Sequence, residues 1–166
     1  MSAVTFQGNS VAVSGQFPQA GQAAPDFTLT GADLNDIRLA DFKGQKLLLN
    51  IFPSVDTGVC ATSVRTFNEK AAGLSNTKVL CVSMDLPFAF GRFCAAEGIE
   101  NVQVASAFRH AEFLNAYGVA LSDGALRGLS ARAVVCIDEQ GKVVYGERVA
   151  ELTDEPAYDA AIAALS

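Results

Sequence analysis

Cys60 closes the segment Pro53-Ser54-Val55-Asp56-Thr57-Gly58-Val59-Cys60, with a strand-like apolar run before it and helical spacing after it. That order places the sulfur in the first turn of a helix. First-turn backbone N–H groups have no intrahelical acceptors and the macrodipole is positive there, so both favour a thiolate. A thiol activated in this way is a nucleophile at neutral pH. Were its target a peroxide, donors would be needed to hold the two oxygens in line and to stabilise charge growing on the leaving oxygen. Thr57, three residues earlier, can bring its hydroxyl beside the sulfur, accepting a proton on oxygen while its own hydrogen is donated elsewhere. Arg132, at the start of an otherwise apolar strand, offers a permanent charge and several donors in a fixed fork.

Each of these residues also has a plainer reading. Thr57 suits a helix cap as well as a catalytic donor, Arg132 could pair with an acid at the surface, and Pro53 could simply end a strand. The chain has four cysteines, at 60, 81, 94 and 136, and free cysteines are among the most buried residues. Cys81, within Val79 to Val82, and Cys136, within Val134 to Ile137, read as small core residues. Cys94 lies near Phe90 and Phe93, which could make a core face and nothing more. His110 reads as an exposed helix residue, and Arg109 as a residue of a pocket rim or of a dimer contact.

A length of 166 residues suits one domain with an ample core, and half the residues are hydrophobic while 18% are charged. The net charge of −6 and the lack of a Lys/Arg run argue against nucleic acid as a partner. With neither a signal-like start nor an apolar run of bilayer length, the sequence reads as that of a soluble, cytoplasmic protein without membrane association. In a reducing compartment any disulfide should be transient rather than structural. No spacing is C-x-x-C, Ser63 stands where a partner of Cys60 would be, and there is one histidine, so a standard zinc site is not expected.

The elements that must position these residues follow from periodicity. Val4–Phe6 and Val11–Val13 flank turn residues and predict an N-terminal β-hairpin. Short strands are expected at Phe27–Thr30 and Ile37–Leu39, and Lys46–Phe52 reads as a central strand covered on both faces. A helix then buries Val59, Thr62/Ser63, Phe67, Ala71 and Leu74. A buried strand at Lys78–Met84 leads to a helix at Pro87–Glu97 stopped by Gly98. Val102–Ala105 predicts a strand and Ala111–Tyr117 a short helix, with a loop over Ala120–Ser130. Ala131–Asp138 and Lys142–Tyr145 predict a hairpin, and Glu155–Leu165 a helix capped by Asp154 or Thr153 with Pro156 in its first turn. This order implies an α/β fold of thioredoxin-like type, a mixed central sheet flanked by helices, in a single domain over residues 1–166.

Pro53-x-x-x-Thr57-x-x-Cys60 resembles the P-x-x-x-T/S-x-x-C signature of peroxiredoxins, and the run Asn50 to Cys60 is similar to their thiol peroxidase subfamily. The likeness continues through Arg92-Phe93-Cys94, Phe108-Arg109, Glu112-Phe113, Tyr117-Gly118-Val119 and Gly128 to Val134, so it spans nearly the whole chain. The resemblance implies an atypical two-cysteine peroxidase acting on hydrogen peroxide and small alkyl hydroperoxides. It makes Cys60 the peroxidatic cysteine, shielded by Pro53 and activated by Thr57 and Arg132. It makes Cys94 the resolving cysteine of the same chain, thioredoxin the reductant, and the protein a homodimer without metal or organic cofactor. Two helix-borne cysteines seldom meet the geometry of a disulfide without movement, so the first turn at Cys60, the helix carrying Cys94, or both should unwind in each cycle.

Three other functions compete with this one. A thioredoxin-like disulfide oxidoreductase is weakened by Ser63 in place of a second cysteine, and a cysteine hydrolase by the lone His110 as the only histidine base. A non-enzymatic redox sensor would use the same activated thiolate.

Overall fold

The structure is a computed structural model that describes residues 2–166. Its seven-stranded mixed sheet has the order β10-β9-β5-β6-β7-β3-β4. The strands are β3 (Thr28–Gly31), β4 (Asp36–Arg38), β5 (Lys46–Ile51), β6 (Thr77–Ser83), β7 (Gln103–Ser106), β9 (Ala133–Ile137) and β10 (Val143–Arg148). Helices α1 (Gly58–Ala71) and α2 (Pro87–Glu97) cross between the parallel strands β5, β6 and β7, while α3 (Glu112–Ala116) and α4 (Tyr158–Ala164) are shorter. The expected N-terminal hairpin is present as β1 (Ser2–Phe6) and β2 (Asn9–Ser14), joined by Gln7 and Gly8.

The apolar run of β5 is explained by its two covered faces. Leu47, Leu49 and Ile51 join a core with Leu80, Val82, Val135 and the hairpin residue Val13, whereas Leu48 packs with Phe67 of α1 and Ala161 of α4. At the helix ends, Pro87 occupies the first turn of α2 and Gly98 ends it with φ of 64°. These are the positions that sequence preference assigns to the two residue types.

Three expectations are corrected. α1 buries Cys60, Ala61, Ser63, Val64 and Phe67, so its inner face is rotated away from Val59. Thr153 bonds to Glu151 through both its amide and its hydroxyl, so it does not cap α4, which begins at Tyr158 beyond Pro156. Ala120–Leu121, expected to be loop, forms β8 and extends the hairpin into a three-stranded sheet of order β1-β2-β8. Two residues carry too little pattern to announce a strand. Among the described residues no helix is long and apolar enough to cross a membrane.

Cys81 in β6 and Cys136 in β9 are fully buried, and burial pushes both thiols up to about 12. A thiol whose folded value lies above its unfolded value, about 8.5, gives its full stability below the unfolded value and loses it as pH rises toward the folded one. Stability should therefore decline between about pH 8.5 and 12, less steeply in Cys136→Ala than in wild type. Urea midpoints measured across that window check this, and equal slopes would contradict it.

Candidate active site

The site forms where β5 ends. β5 pairs in parallel with β6 and antiparallel with β9, Ile51 standing opposite Val82 on one side and Ala133 on the other. This register sets Arg132, one residue before β9 rather than inside it, beside the chain leaving β5. The exit is pinned: the Phe52 amide donates to the Val82 carbonyl at 3.1 Å, and the Ser130 hydroxyl donates to the Phe52 carbonyl at 2.6 Å.

The loop from Pro53 to Thr57 is organised by Asp85, in the connection between β6 and α2. Its carboxylate accepts the Ser54 hydroxyl at 2.7 Å, the Val55 amide at 2.9 Å and the Ser83 hydroxyl at 2.5 Å. Its own carbonyl accepts the Ser106 hydroxyl. Ser54 then presents its carbonyl to Thr57, which donates its amide at 3.2 Å and its hydroxyl at 2.9 Å. Thr57 occupies the N-cap position of α1 but makes no side-chain cap, and its hydrogen is committed to the Ser54 carbonyl. Its hydroxyl oxygen keeps lone pairs for another donor.

Cys60 is fully buried in the first turn of α1, among Phe52, Val55, Val64, Phe90 and Phe93. The Ser63 hydroxyl donates to the Cys60 carbonyl at 2.8 Å, and Asn50 Nδ2 donates to Ser63 Oγ at 3.2 Å, which ties this turn to β5. Arg132 is 2% exposed and, among the described residues, forms no ion pair with a carboxylate. Its Nη2 lies 3.3 Å from Cys60 Sγ, and Nε and Nη2 donate to the Leu152 carbonyl at 3.1 and 2.9 Å. Nη1 is buried without a partner among the described residues. The reading of Arg132 as a surface ion-pair residue is thereby overturned.

A cavity of about 220 Å³ opens beside this pair. Pro53, Thr57 and Arg132 supply its chemical side, and Phe6, Leu126, Leu129 and Leu152 its apolar walls. A slightly larger apolar cleft, about 260 Å³, lies between the turn at Leu39–Phe42 and the β9–β10 turn, with none of the four cysteines in its lining. His110 is not the exposed helix residue expected: it precedes α3, its side chain is 19% exposed, and Nδ1 faces Glu112 at 3.3 Å. It does not line the cavity beside Cys60.

Cys94 is half-buried in the last turn of α2, packed against the cluster that holds Cys60. Its carbonyl accepts the amides of Gly98 and Ile99. All four cysteines are free thiols, and burial raises the Cys94 thiol above its ordinary value. Ion pairs join the neighbourhoods of the two cysteines: Arg65 of α1 with Glu97 of α2, and Arg92 of α2 with Asp56 at 3.2 Å. Thus Pro53, Thr57 and Arg132 line one cavity, the buried Cys60 sulfur meets that cavity's Arg132, and Cys94 packs alongside.

Sequence reasoning did not find Asn50, Asp85 or the Leu152 carbonyl. Asn50 had a signal, being the one polar residue between Leu47 and Phe52. Asp85 and Leu152 had none, because their roles arise from contacts across the fold.

A model of the Redoxin family matches residues 19–162. The thiol peroxidase of Corynebacterium glutamicum is 57% identical over 166 residues, all of both chains. Among solved structures, a peroxiredoxin-like protein from Aquifex aeolicus superposes with a TM-score of 0.94 at 41% identity, covering 99% of this chain and 96% of that one. The thiol peroxidase from Chromobacterium violaceum gives 0.86 at 26% identity, covering 95% and 91%. The α/β fold is therefore thioredoxin-like, and the chain belongs to the Redoxin family, among its peroxiredoxins of the thiol peroxidase subfamily.

Proposed function

We propose that this chain is a thiol peroxidase in which Cys60 reduces hydroperoxides with the help of Arg132 and Thr57. One observation carries the reading: a buried guanidinium without a carboxylate has the Cys60 sulfur at 3.3 Å and one nitrogen still unpartnered. A buried cation is costly unless an anion or several acceptors meet it. A Cys60 thiolate supplies that anion, and the free Nη1 supplies a donor for a substrate oxygen. Thr57, its hydrogen given to Ser54, can accept a hydrogen bond from the peroxide O–H on its oxygen. The sulfur attacks one peroxide oxygen, the S–O bond forming as the O–O bond breaks. Cys60 becomes a sulfenic acid that keeps the peroxide proton, and the other oxygen, its growing charge met by Arg132, takes a proton from water and departs as water or alcohol.

Cys94 then displaces the sulfenic hydroxyl as water and closes an intramolecular disulfide. Cys60 sits in the first turn of α1 and Cys94 in the last turn of α2. One unwound turn at each helix end frees both sulfurs while the sheet stays intact. Leaving its half-buried position also lowers the Cys94 thiol toward its ordinary value, which makes it a better nucleophile. Thioredoxin completes the cycle by taking up the disulfide; the homodimer is part of this reading through the family resemblance, and the cytoplasm through four free thiols that suit a reducing compartment. The net charge of −6 fits a protein that does not bind nucleic acid.

The apolar walls fit organic as well as inorganic hydroperoxides. Phe6→Ala should raise KM for cumene hydroperoxide about tenfold and leave that for hydrogen peroxide unchanged, and equal effects on both substrates would contradict this. NADPH consumption with thioredoxin and thioredoxin reductase tests the cycle. Cys60→Ser should abolish turnover, and Cys94→Ser should permit one oxidation per chain but no thioredoxin-dependent turnover. Arg132→Ala should slow oxidation of Cys60 about 100- to 1,000-fold. Sustained turnover by Cys60→Ser, or an unchanged rate in Arg132→Ala, would sink the reading.

A further inference from the structure

Arg132 is held by a single backbone carbonyl, that of Leu152, and Leu152 lies in a connection between β10 and α4 that belongs to no helix or sheet strand. What fixes that connection is the N-terminal hairpin. The Thr5 amide donates to the Ala150 carbonyl at 2.7 Å, and the Leu152 amide donates to the Thr5 carbonyl at 2.8 Å. Between these two bonds stands Glu151, whose carboxylate gathers donors from both sides. Oε1 accepts the Thr5 hydroxyl at 2.9 Å and the Gly8 amide at 2.9 Å. Oε2 accepts the Gln7 amide at 3.2 Å, the Thr153 amide at 2.9 Å and the Thr153 hydroxyl at 2.8 Å.

We infer that Glu151 is a positioning residue for the peroxidase reaction, clamping the hairpin turn to the Leu152 carbonyl so that Arg132 meets Cys60 and keeps Nη1 free for substrate. The inference deepens the proposed function and rests on Arg132 acting at Cys60. Three of the five donors are backbone amides, two of them in the Gln7–Gly8 turn, so the carboxylate locks main chain to main chain. Charge-assisted bonds to a carboxylate are about twice as strong as neutral ones. The amides of Thr153 and Gly8, followed by the hydroxyls of Thr153 and Thr5, hold the Glu151 carboxyl down to about 2, so the clamp stays ionised at neutral pH. The hairpin thereby serves the chemistry twice, since Phe6 also walls the cavity. Because Nε and Nη2 share one acceptor, a shift of Leu152 redirects the whole planar guanidinium.

The test measures two rates separately, oxidation of Cys60 by hydrogen peroxide and closure of the disulfide with Cys94. The chain has no tryptophan, so quenched flow with mass spectrometry provides the readout. Glu151→Ala should slow oxidation about tenfold to a hundredfold, the scale of a displaced catalytic group, and leave closure unchanged. Glu151→Gln, which keeps an acceptor oxygen, should recover part of the loss. The double variant Glu151→Ala with Arg132→Ala should be no slower than Arg132→Ala alone, because the two act as one unit. Thr5→Val deletes one donor while sparing the backbone bonds, and it should produce a smaller slowing of the same step if Glu151→Ala does not fold. Wild-type oxidation in Glu151→Ala and Thr5→Val, or a double variant whose loss is the product of the two single losses, would overturn the clamp. Arg132→Ala oxidising at the wild-type rate would instead overturn the functional reading beneath it, and that arm does not involve Glu151.

Discussion

The arrangement depends on one buried charge. Arg132 is removed from water and from any carboxylate, and its surroundings supply only the Leu152 carbonyl and the Cys60 sulfur. Stripping water from a guanidinium costs several kcal/mol even after relaxation, on the order of what a buried ion loses in real proteins. The register of β5 with β9, the hairpin bonds to Ala150 and Leu152, and the Asp85 network each fix one side of that contact. An apolar replacement for Arg132 would remove the desolvation cost. Its burial beside a cysteine therefore makes sense as a functional placement.

A second constraint pulls the other way. A nucleophile buried at 0% exposure cannot meet a second cysteine or a reductant without opening. In the proposed cycle both demands are met because Cys60 and Cys94 lie in terminal turns, where fewer hydrogen bonds are lost and local opening is least costly. The pairs Arg65–Glu97 and Asp56–Arg92 across the two neighbourhoods are largely exposed. Surface pairs of this kind contribute little, so they favour the closed form without trapping it. The sheet edges and the hairpin need not take part.

What was legible in the sequence was whatever local pattern encodes. The β5 run between Gly44 and Pro53 announced a strand with two covered faces, and Pro87 and Gly98 marked both ends of α2. Pro53, Thr57, Cys60 and Arg132 were identified by residue type, spacing and family likeness, and they surround one cavity or its neighbouring sulfur. Contacts across the fold were not legible. Pro156 suggested a helix start, but the bonds of Thr153 to Glu151 hold that stretch out of the helix. Leu152 acts through its backbone, which side-chain identity does not reveal. Glu151 looked like any surface acid until the turn at Gln7 and Gly8 was folded onto it.

The most direct measurement of the central claim is a peptide map after one equivalent of hydrogen peroxide is added to the reduced protein without external thiol. A single Cys60–Cys94 disulfide, with Cys81 and Cys136 still free, is the result expected from a nucleophile beside Arg132 and a resolving thiol on α2. An intact Cys60 thiol, with oxidation at Cys81 or Cys136 instead, would contradict it.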